Sequence, residues 1–173
     1  MLANRNEAYD LLTARGASHR LLTHLKLVGE AADKLVTVYR ELGVPVDIKL
    51  IELGAAVHDA GKIVHRNELD GPGSLHEEAG REMLLELGVQ PKVAECCVTH
   101  GAWQGPQVSL EERSVALADK LWKGKRVAEL ELAVIDDVAA RLGIDRWDIF
   151  TRLDETFEEI ADAAPSRLER SRV

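Results

Sequence analysis

Hydrophobic residues recur along this chain with the period of an α-helix, and no stretch shows the sustained alternation of apolar and polar residues that marks a strand. Glycines, prolines and capping side chains divide the pattern into successive helices. The predicted helices, in order, are residues 3–14, 18–42, 47–58, one beginning at Ser74, 91–100, 109–124, 127–142 and 145–163. We therefore predict an all-α fold.

Ser18, Asp47, Ser74 and Ser109 each stand where a side-chain oxygen can accept a hydrogen bond from a helix's first turn, so we predict that they are N-caps. Residues 61–73 contain three glycines and a proline, which indicates an exposed loop. A charged tail is predicted beyond Pro165. Because no linker and no internal repeat divides the chain, residues 1–173 are predicted to form a single helical domain.

Composition narrows the class of protein. Of 173 residues 46% are hydrophobic and only 4% are aromatic, which favours packed helices over a β-sandwich. The net charge of −8 argues against general binding to nucleic acids. Cys96 and Cys97 are adjacent and do not suggest a disulfide framework. With no signal peptide and no membrane-spanning apolar run, we expect a cytoplasmic protein; the sequence leaves the oligomeric state open.

The doublet His58-Asp59 closes the apolar run of the third helix. A buried imidazole and carboxylate each need a partner, and a divalent metal ion would satisfy both. A single hydrogen bond between the two side chains, ending the helix, would also explain the doublet. The pair alone does not decide between these readings.

Four other residues bear on the doublet, and each has an ordinary alternative. His24 could be a hydrogen-bonded core histidine, and His76 a solvent-facing residue in a first helical turn. His100 could complement a helix C-terminal dipole, and Asp119 could be a buried carboxylate paired with lysine. Helical domains rarely bury so many ionisable groups, and one metal centre would serve as partner for them all.

His24, the doublet His58-Asp59 and Asp119, in this order and in helical settings, resemble the HD-domain superfamily of metal-dependent phosphohydrolases. The resemblance covers about residues 18–126 and leaves outside it the first predicted helix and the last two, which span about 127–163. It implies a helical bundle of the HD-domain type in which these four residues are metal ligands. His76 and His100 resemble the additional ligands of the binuclear branches, which implies that Asp59 bridges two ions.

The resemblance implies a phosphohydrolase that acts on a small phosphate ester or nucleotide, with Asp59 and Lys62 as catalytic residues. The mixed nitrogen and oxygen ligands admit iron, manganese, cobalt, nickel or zinc. The side chains predicted to bind substrate phosphate are Lys62, Arg66, Lys120 and Lys123. For the two lysines after Asp119, the ordinary explanation is that cations are common near a helix C-terminus. The Gly-Tyr-Pro signature of the HD-GYP phosphodiesterases is missing, which argues against a cyclic dinucleotide substrate.

Two further functions fit the same residues. HD-type di-iron centres also serve oxygenases that cleave carbon–carbon or carbon–phosphorus bonds. A non-catalytic regulatory module could keep the metal only for stability. The sequence does not separate these alternatives from hydrolysis.

Overall fold

Nine α-helices and two short 310 helices make up the structure, a computed structural model that describes residues 1–173 and has no strand. The α-helices are α1 (Arg5–Ala14), α2 (His19–Leu42), α3 (Ile48–Val57), α4 (Leu75–Glu86), α5 (Pro91–Thr99), α6 (Leu110–Leu121), α7 (Ala128–Leu142), α8 (Trp147–Asp162) and α9 (Ala164–Arg170). The 310 helices are Ala60–Ile63 and Arg66–Leu69. The predicted all-α fold is confirmed.

Three of the four predicted N-caps form. The side chains of Ser18, Asp47 and Ser109 accept backbone hydrogen bonds three residues onward, at 3.1, 3.1 and 3.2 Å. Each bond satisfies an amide that the first helical turn leaves without a partner. At the other end of α2, Gly43 adopts a left-handed conformation with φ 72°, which glycine accepts without strain and which ends the helix.

The segment over 61–73 corrects two predictions. It is not simply an exposed loop, because it contains both 310 helices and buries Gly61 and Glu68. Ser74 makes no side-chain capping bond to α4. Instead the carboxylate of Glu68 accepts hydrogen bonds from the backbone amides of Leu75 and His76, at 3.1 and 2.9 Å. A carboxylate from the preceding segment thus takes over the role predicted for the serine hydroxyl.

The chain beyond Pro165 is also more ordered than predicted. In place of a charged tail it forms α9, which packs against α8. Pro165 fits the first turn of this helix because that position needs no amide hydrogen. The helix buries one charged residue, Arg167, whose relative exposure is 4%.

Helix α3 lies at the centre of the structure. It packs against α1, α2, α5 and α6, and it is apolar on nearly all sides, as expected for a buried helix. A methyl group on Gly54 would lie 2.7 Å from Cys96 Sγ and 2.9 Å from Val115 Cγ2, so glycine permits close contact with α5 and α6. This packing brings the C-terminal end of α3, with His58 and Asp59, between its neighbours. That residues 1–173 form one domain stays a prediction.

None of the nine helices combines the length and the hydrophobicity that crossing a lipid bilayer requires.

An ion pair between a partly exposed arginine and a buried glutamate holds α7 against α6. Arg141 donates hydrogen bonds from both terminal nitrogens to the carboxylate of Glu111, at 2.7 and 2.8 Å, and the amide of Asp47 donates a third at 2.9 Å. Burial raises the pKa of Glu111, but these hydrogen bonds outweigh it and lower the pKa to about 2. The pair therefore stabilises the fold only while Glu111 is ionised.

Replacing Glu111 with glutamine is expected to lower the free energy of unfolding at pH 7 by about 1–3 kcal/mol, since hydrogen bonds to a charged group are lost. Because the pKa of Glu111 in the folded protein lies below its ordinary value, the wild type should lose its extra stability over Glu111→Gln as the pH falls from about 4.3 towards about 2. Urea unfolding measured across this range checks the prediction. Glu158→Gln, an exposed change on α8, is the control and should be as stable as the wild type. Equal stabilities for Glu111→Gln and wild type at pH 7 would contradict the prediction.

Candidate metal centre

Six ionisable side chains meet where several helices begin or end. One comes from the second turn of α2, two from the C-terminal end of α3, one each from the first turn of α4 and the end of α5, and one from α6. They are the six predicted metal ligands, His24, His58, Asp59, His76, His100 and Asp119. Four of them are buried, while the side chains of His24 and Asp119 keep 18% and 13% of their surface exposed. The structure thus brings all six together.

The two oxygens of Asp59 face different sets of histidines. Oδ2 lies 3.0 Å from His24 Nε2 and 3.6 Å from His58 Nε2. Oδ1 lies 3.3 Å from His76 Nε2 and 3.4 Å from His100 Nε2. A single carboxylate therefore stands between two pairs of imidazole nitrogens, with one oxygen towards each pair.

Asp119 completes the first of these two sets. Its Oδ1 lies 3.3 Å from His58 Nε2 and 3.8 Å from His24 Nε2. The four donor atoms of the first set, like the three of the second, lie within 4.8 Å of one another. Two ligand atoms that each lie about 2.1 Å from the same ion, with an angle of about 90–109° at the ion, are about 3.0–3.4 Å from each other. The closest spacings in both sets fall in this range.

Backbone carbonyls orient two of the imidazoles. His58 Nδ1 lies 2.9 Å from the carbonyl oxygen of Ala55, and His100 Nδ1 lies 3.0 Å from that of Cys96. Since a carbonyl only accepts, each Nδ1 carries the proton and donates it. The lone pair of Nε2 is then directed into the centre, which is the tautomer that a metal ion needs.

Glu68 orients a third imidazole and was not among the predicted site residues. One of its carboxylate oxygens lies 2.5 Å from His76 Nδ1, and the residue is only 4% exposed. A carboxylate behind a histidine fixes the ring and makes its other nitrogen a stronger ligand. Burial raises the pKa of Glu68, but the hydrogen bonds from the backbone and ring of His76 lower it below the ordinary value, which favours the ionised form.

Three buried nitrogens lack a hydrogen-bond partner: Trp122 Nε1 in the wall of the centre and, among the six clustered residues, His24 Nε2 and His76 Nε2. Although each of the two histidine nitrogens lies near an Asp59 oxygen, neither meets the geometry of a hydrogen bond. Leaving a buried polar atom without a partner costs free energy, and native structures keep few of them. One orphaned histidine nitrogen belongs to each of the two sets. This donor chemistry fits a divalent metal ion in each set.

The electrostatics of the centre favour cations. Burial raises the pKa of Asp59, but His58 and hydrogen bonds from the surrounding histidines hold it well below the ordinary value. Hydrogen bonding to His58 likewise lowers the pKa of Asp119, against the effect of burial. The pKa of His58 itself, which burial lowers, is raised overall by these two carboxylates. Both aspartates are therefore ionised, as metal ligands must be.

The four cations predicted to bind phosphate lie at different distances from this centre. Lys62 Nζ lies 2.8 Å from Asp59 Oδ2, and Lys120 Nζ lies 3.9 Å from Asp119 Oδ2. Arg66 is exposed and lines, together with Lys62, a small cavity of about 80 Å³ beside the start of α2. Lys123 is exposed and makes no ion pair with the site. A role in phosphate binding stays a prediction for all four.

Trp122 forms part of the wall of the centre. Its ring stands edge-on to the imidazole of His24, with 5.1 Å between ring centroids, and the residue is 8% exposed. Trp122 belongs to a hydrophobic core, and Trp103 is partly buried and packs against that core. Both positions agree with the core role that single tryptophans at helical spacing usually have.

Replacing Glu68 with glutamine is expected to weaken metal binding at the His76 side about 10–100-fold, because the imidazole loses its carboxylate support. Elemental analysis after dialysis against limiting metal would show fewer ions per chain than in the wild type. Glu82→Gln, an exposed change on α4, provides the matched control. Equal metal content in Glu68→Gln and wild type would show that Glu68 does not support a ligand.

Comparison with known proteins agrees with this geometry. The sequence profile of the HD domain matches residues 21–122, more than half of the chain and a range that contains all six clustered residues. An uncharacterized protein of Methanocaldococcus jannaschii is 31% identical over 141 residues, which cover 73% of this chain and 79% of that protein. A tRNA (cytidine(56)-2'-O)-methyltransferase of Thermoplasma volcanium is 28% identical over 173 residues, covering 87% of this chain but only 48% of the methyltransferase. No solved structure matches the chain significantly.

Proposed function

This chain belongs to the HD-domain family, and we propose that it is a metal-dependent phosphohydrolase that hydrolyses a small phosphate ester or a nucleotide at a centre of two divalent metal ions. The observation that carries the proposal is the position of Asp59. Its two oxygens face two separate sets of histidine nitrogens, each with donor spacings that suit one ion. A carboxylate in that position can bridge two ions.

In the proposed centre, His24, His58, Asp59 and Asp119 would hold one ion, and Asp59, His76 and His100 would hold the other. Bound there, the ions would lower the pKa of a water molecule and neutralise charge on the phosphoryl group. The chain needs no serine or cysteine nucleophile for this chemistry, since phosphoryl transfer depends mainly on positioning and electrostatic stabilisation.

The surrounding residues prepare the centre. The carbonyls of Ala55 and Cys96 hold two imidazoles in the ligand tautomer, and Glu68 holds a third. Lys62 stands beside Asp59, where its ammonium group adds positive charge at the place that a substrate phosphate would occupy. A cation there would orient the phosphate and stabilise its negative charge.

The proposal is tested by a hydrolysis screen. Chelator-treated protein should be inactive, and manganese, iron, cobalt, nickel or zinc should be added back one at a time. Substrates should include a phosphomonoester, a phosphodiester, nucleoside mono-, di- and triphosphates and a tRNA transcript, the last because of the partial similarity to the tRNA methyltransferase. We expect metal-dependent release of phosphate from a small substrate, with oxygen from isotopically labelled water in the product.

Two outcomes would replace the proposal with its alternatives. Oxygen consumption by reduced, iron-loaded protein, without hydrolysis of any phosphate ester, would indicate a di-iron oxygenase. Metal-dependent thermal stability without turnover of any substrate would indicate a regulatory module. Hydrolysis confined to tRNA would overturn the small-substrate assignment, which the net charge of −8 supports.

A further inference from the structure

Arg167 is a buried cation without an acidic partner. It is 4% exposed, and no carboxylate lies within ion-pair distance of it. The nearby carboxylate of Glu30 is already bound by Arg170, at 2.6 and 2.8 Å. An unpaired buried charge costs free energy, and consistently burial lowers the pKa of Arg167 below its ordinary value.

The contacts of Arg167 leave most of its hydrogen-bonding capacity unused. Both of its hydrogen bonds come from Nη1, to the carbonyl oxygens of Ile160 at 2.7 Å and Trp122 at 3.3 Å. These carbonyls lie at the C-terminal ends of α8 and α6, where a cation is favourable. A guanidinium has five N–H donors, so the donors on Nε and Nη2 remain available.

A cavity of about 380 Å³ lies beside Arg167, between α2 and α8. Its wall includes two further cations, Lys34 and Arg152, and the hydroxyl groups of Thr37 and Thr156. Lys34 makes no ion pair. None of the proposed metal ligands lines this cavity, so it is separate from the metal centre.

The acidic residues of the cavity do not neutralise it. Of the two, Glu41 is bound by the guanidinium of Arg152, and Glu159 is exposed to solvent. Three cations therefore face two carboxylates, in a chain whose overall charge is −8. The cavity therefore carries a local excess of positive charge, which includes the buried guanidinium of Arg167, although the chain as a whole is negatively charged.

We propose that this cavity is a second anion site, which binds the phosphate group of a small molecule. The free donors of Arg167 suit the oxygens of a phosphate, which a guanidinium can bind with two parallel hydrogen bonds. Lys34 supplies a further donor from α2, on the other side of the cavity, whereas the hydroxyls of Thr37 and Thr156 already donate to the carbonyl oxygens of Asp33 and Arg152. The volume is in the range of cavities that hold small-molecule ligands.

The site is tested by calorimetric titration with inorganic phosphate and with adenosine 5'-monophosphate. Both the purified protein and its Asp59→Asn variant should be titrated, so that binding at the metal centre is separated from binding at Arg167. We expect a saturable site that is present in both proteins and is therefore independent of the metal centre. Arg167→Gln should weaken binding at least about tenfold, and Lys34→Gln about two- to fivefold.

Lys34→Gln is the variant that leaves the fold undisturbed, because Lys34 is exposed and has no ion-pair partner. Lys92→Gln, an exposed change on α5, is the matched control and should bind phosphate as the wild type does. Equal affinity in wild type, Lys34→Gln and Arg167→Gln would overturn the proposal. So would binding that is lost in Asp59→Asn, since it would then belong to the metal centre.

Discussion

Replacing Asp59 with asparagine is expected to reduce metal-dependent hydrolysis by at least about 10³-fold, which corresponds to about 4 kcal/mol of transition-state stabilisation. The physical reason is that one carboxylate faces both sets of histidine nitrogens, so its loss removes a charged ligand from each set. An amide keeps the size of the side chain but offers only one neutral oxygen. Rates and metal content measured on the same preparations check the prediction.

The matched control is Asp10→Asn, an exposed aspartate on α1 that makes no ion pair. This variant should keep the activity and the metal content of the wild type. Circular dichroism should show that both variants are folded. If Asp59→Asn is folded and hydrolyses substrate within tenfold of the wild type, Asp59 does not bridge the reacting centre.

Replacing Gly61 with alanine should destabilise the protein by about 3 kcal/mol and weaken metal binding at His76. An added methyl group would lie 1.8 Å from the carbonyl oxygen of His76 and 2.7 Å from the amide nitrogen of Gly80. Both neighbours are backbone atoms of α4, so no flexible side chain can move aside. The helix itself would have to shift, and His76 with it. Thermal unfolding and ions bound per chain measure the two effects.

Gly29→Ala is the control for Gly61→Ala. Gly29 lies inside α2, and a methyl group there would meet Tyr9 Oη at an ordinary contact distance of 3.5 Å. Because alanine favours a helix interior over glycine, we expect this variant to be as stable as the wild type or more stable, by up to about 1 kcal/mol. Equal melting temperatures for Gly61→Ala and wild type would contradict the close contact between Gly61 and the backbone of α4.

Local sequence signals predict most of the helices, because their ends depend on short-range chemistry. Ser18 and Asp47 cap helices as predicted, since a side-chain oxygen needs only the amide three residues onward. The segment 61–73 was predicted less well. Its glycines and proline indicate turns, but the burial of Glu68 depends on His76, which no local pattern reveals.

The sequence predicts which residue types meet at the centre, but not how they are oriented. The order of His24, His58-Asp59 and Asp119 along the chain can be read directly from the sequence. Which oxygen of Asp59 faces which histidine depends on the packing of the helices around α3. The buried carboxylate behind His76 likewise has no sequence signal of its own, since acidic residues are common in solvated segments.

The most direct test of the central claim is anomalous X-ray diffraction from crystals of the metal-loaded protein. Data collected at the absorption edge of the bound metal locate each ion independently of the protein coordinates. We predict two anomalous peaks, one on each side of the Asp59 carboxylate: the first in contact with His24, His58 and Asp119, the second with His76 and His100. A single peak, or peaks that do not contact Asp59, would contradict the binuclear centre.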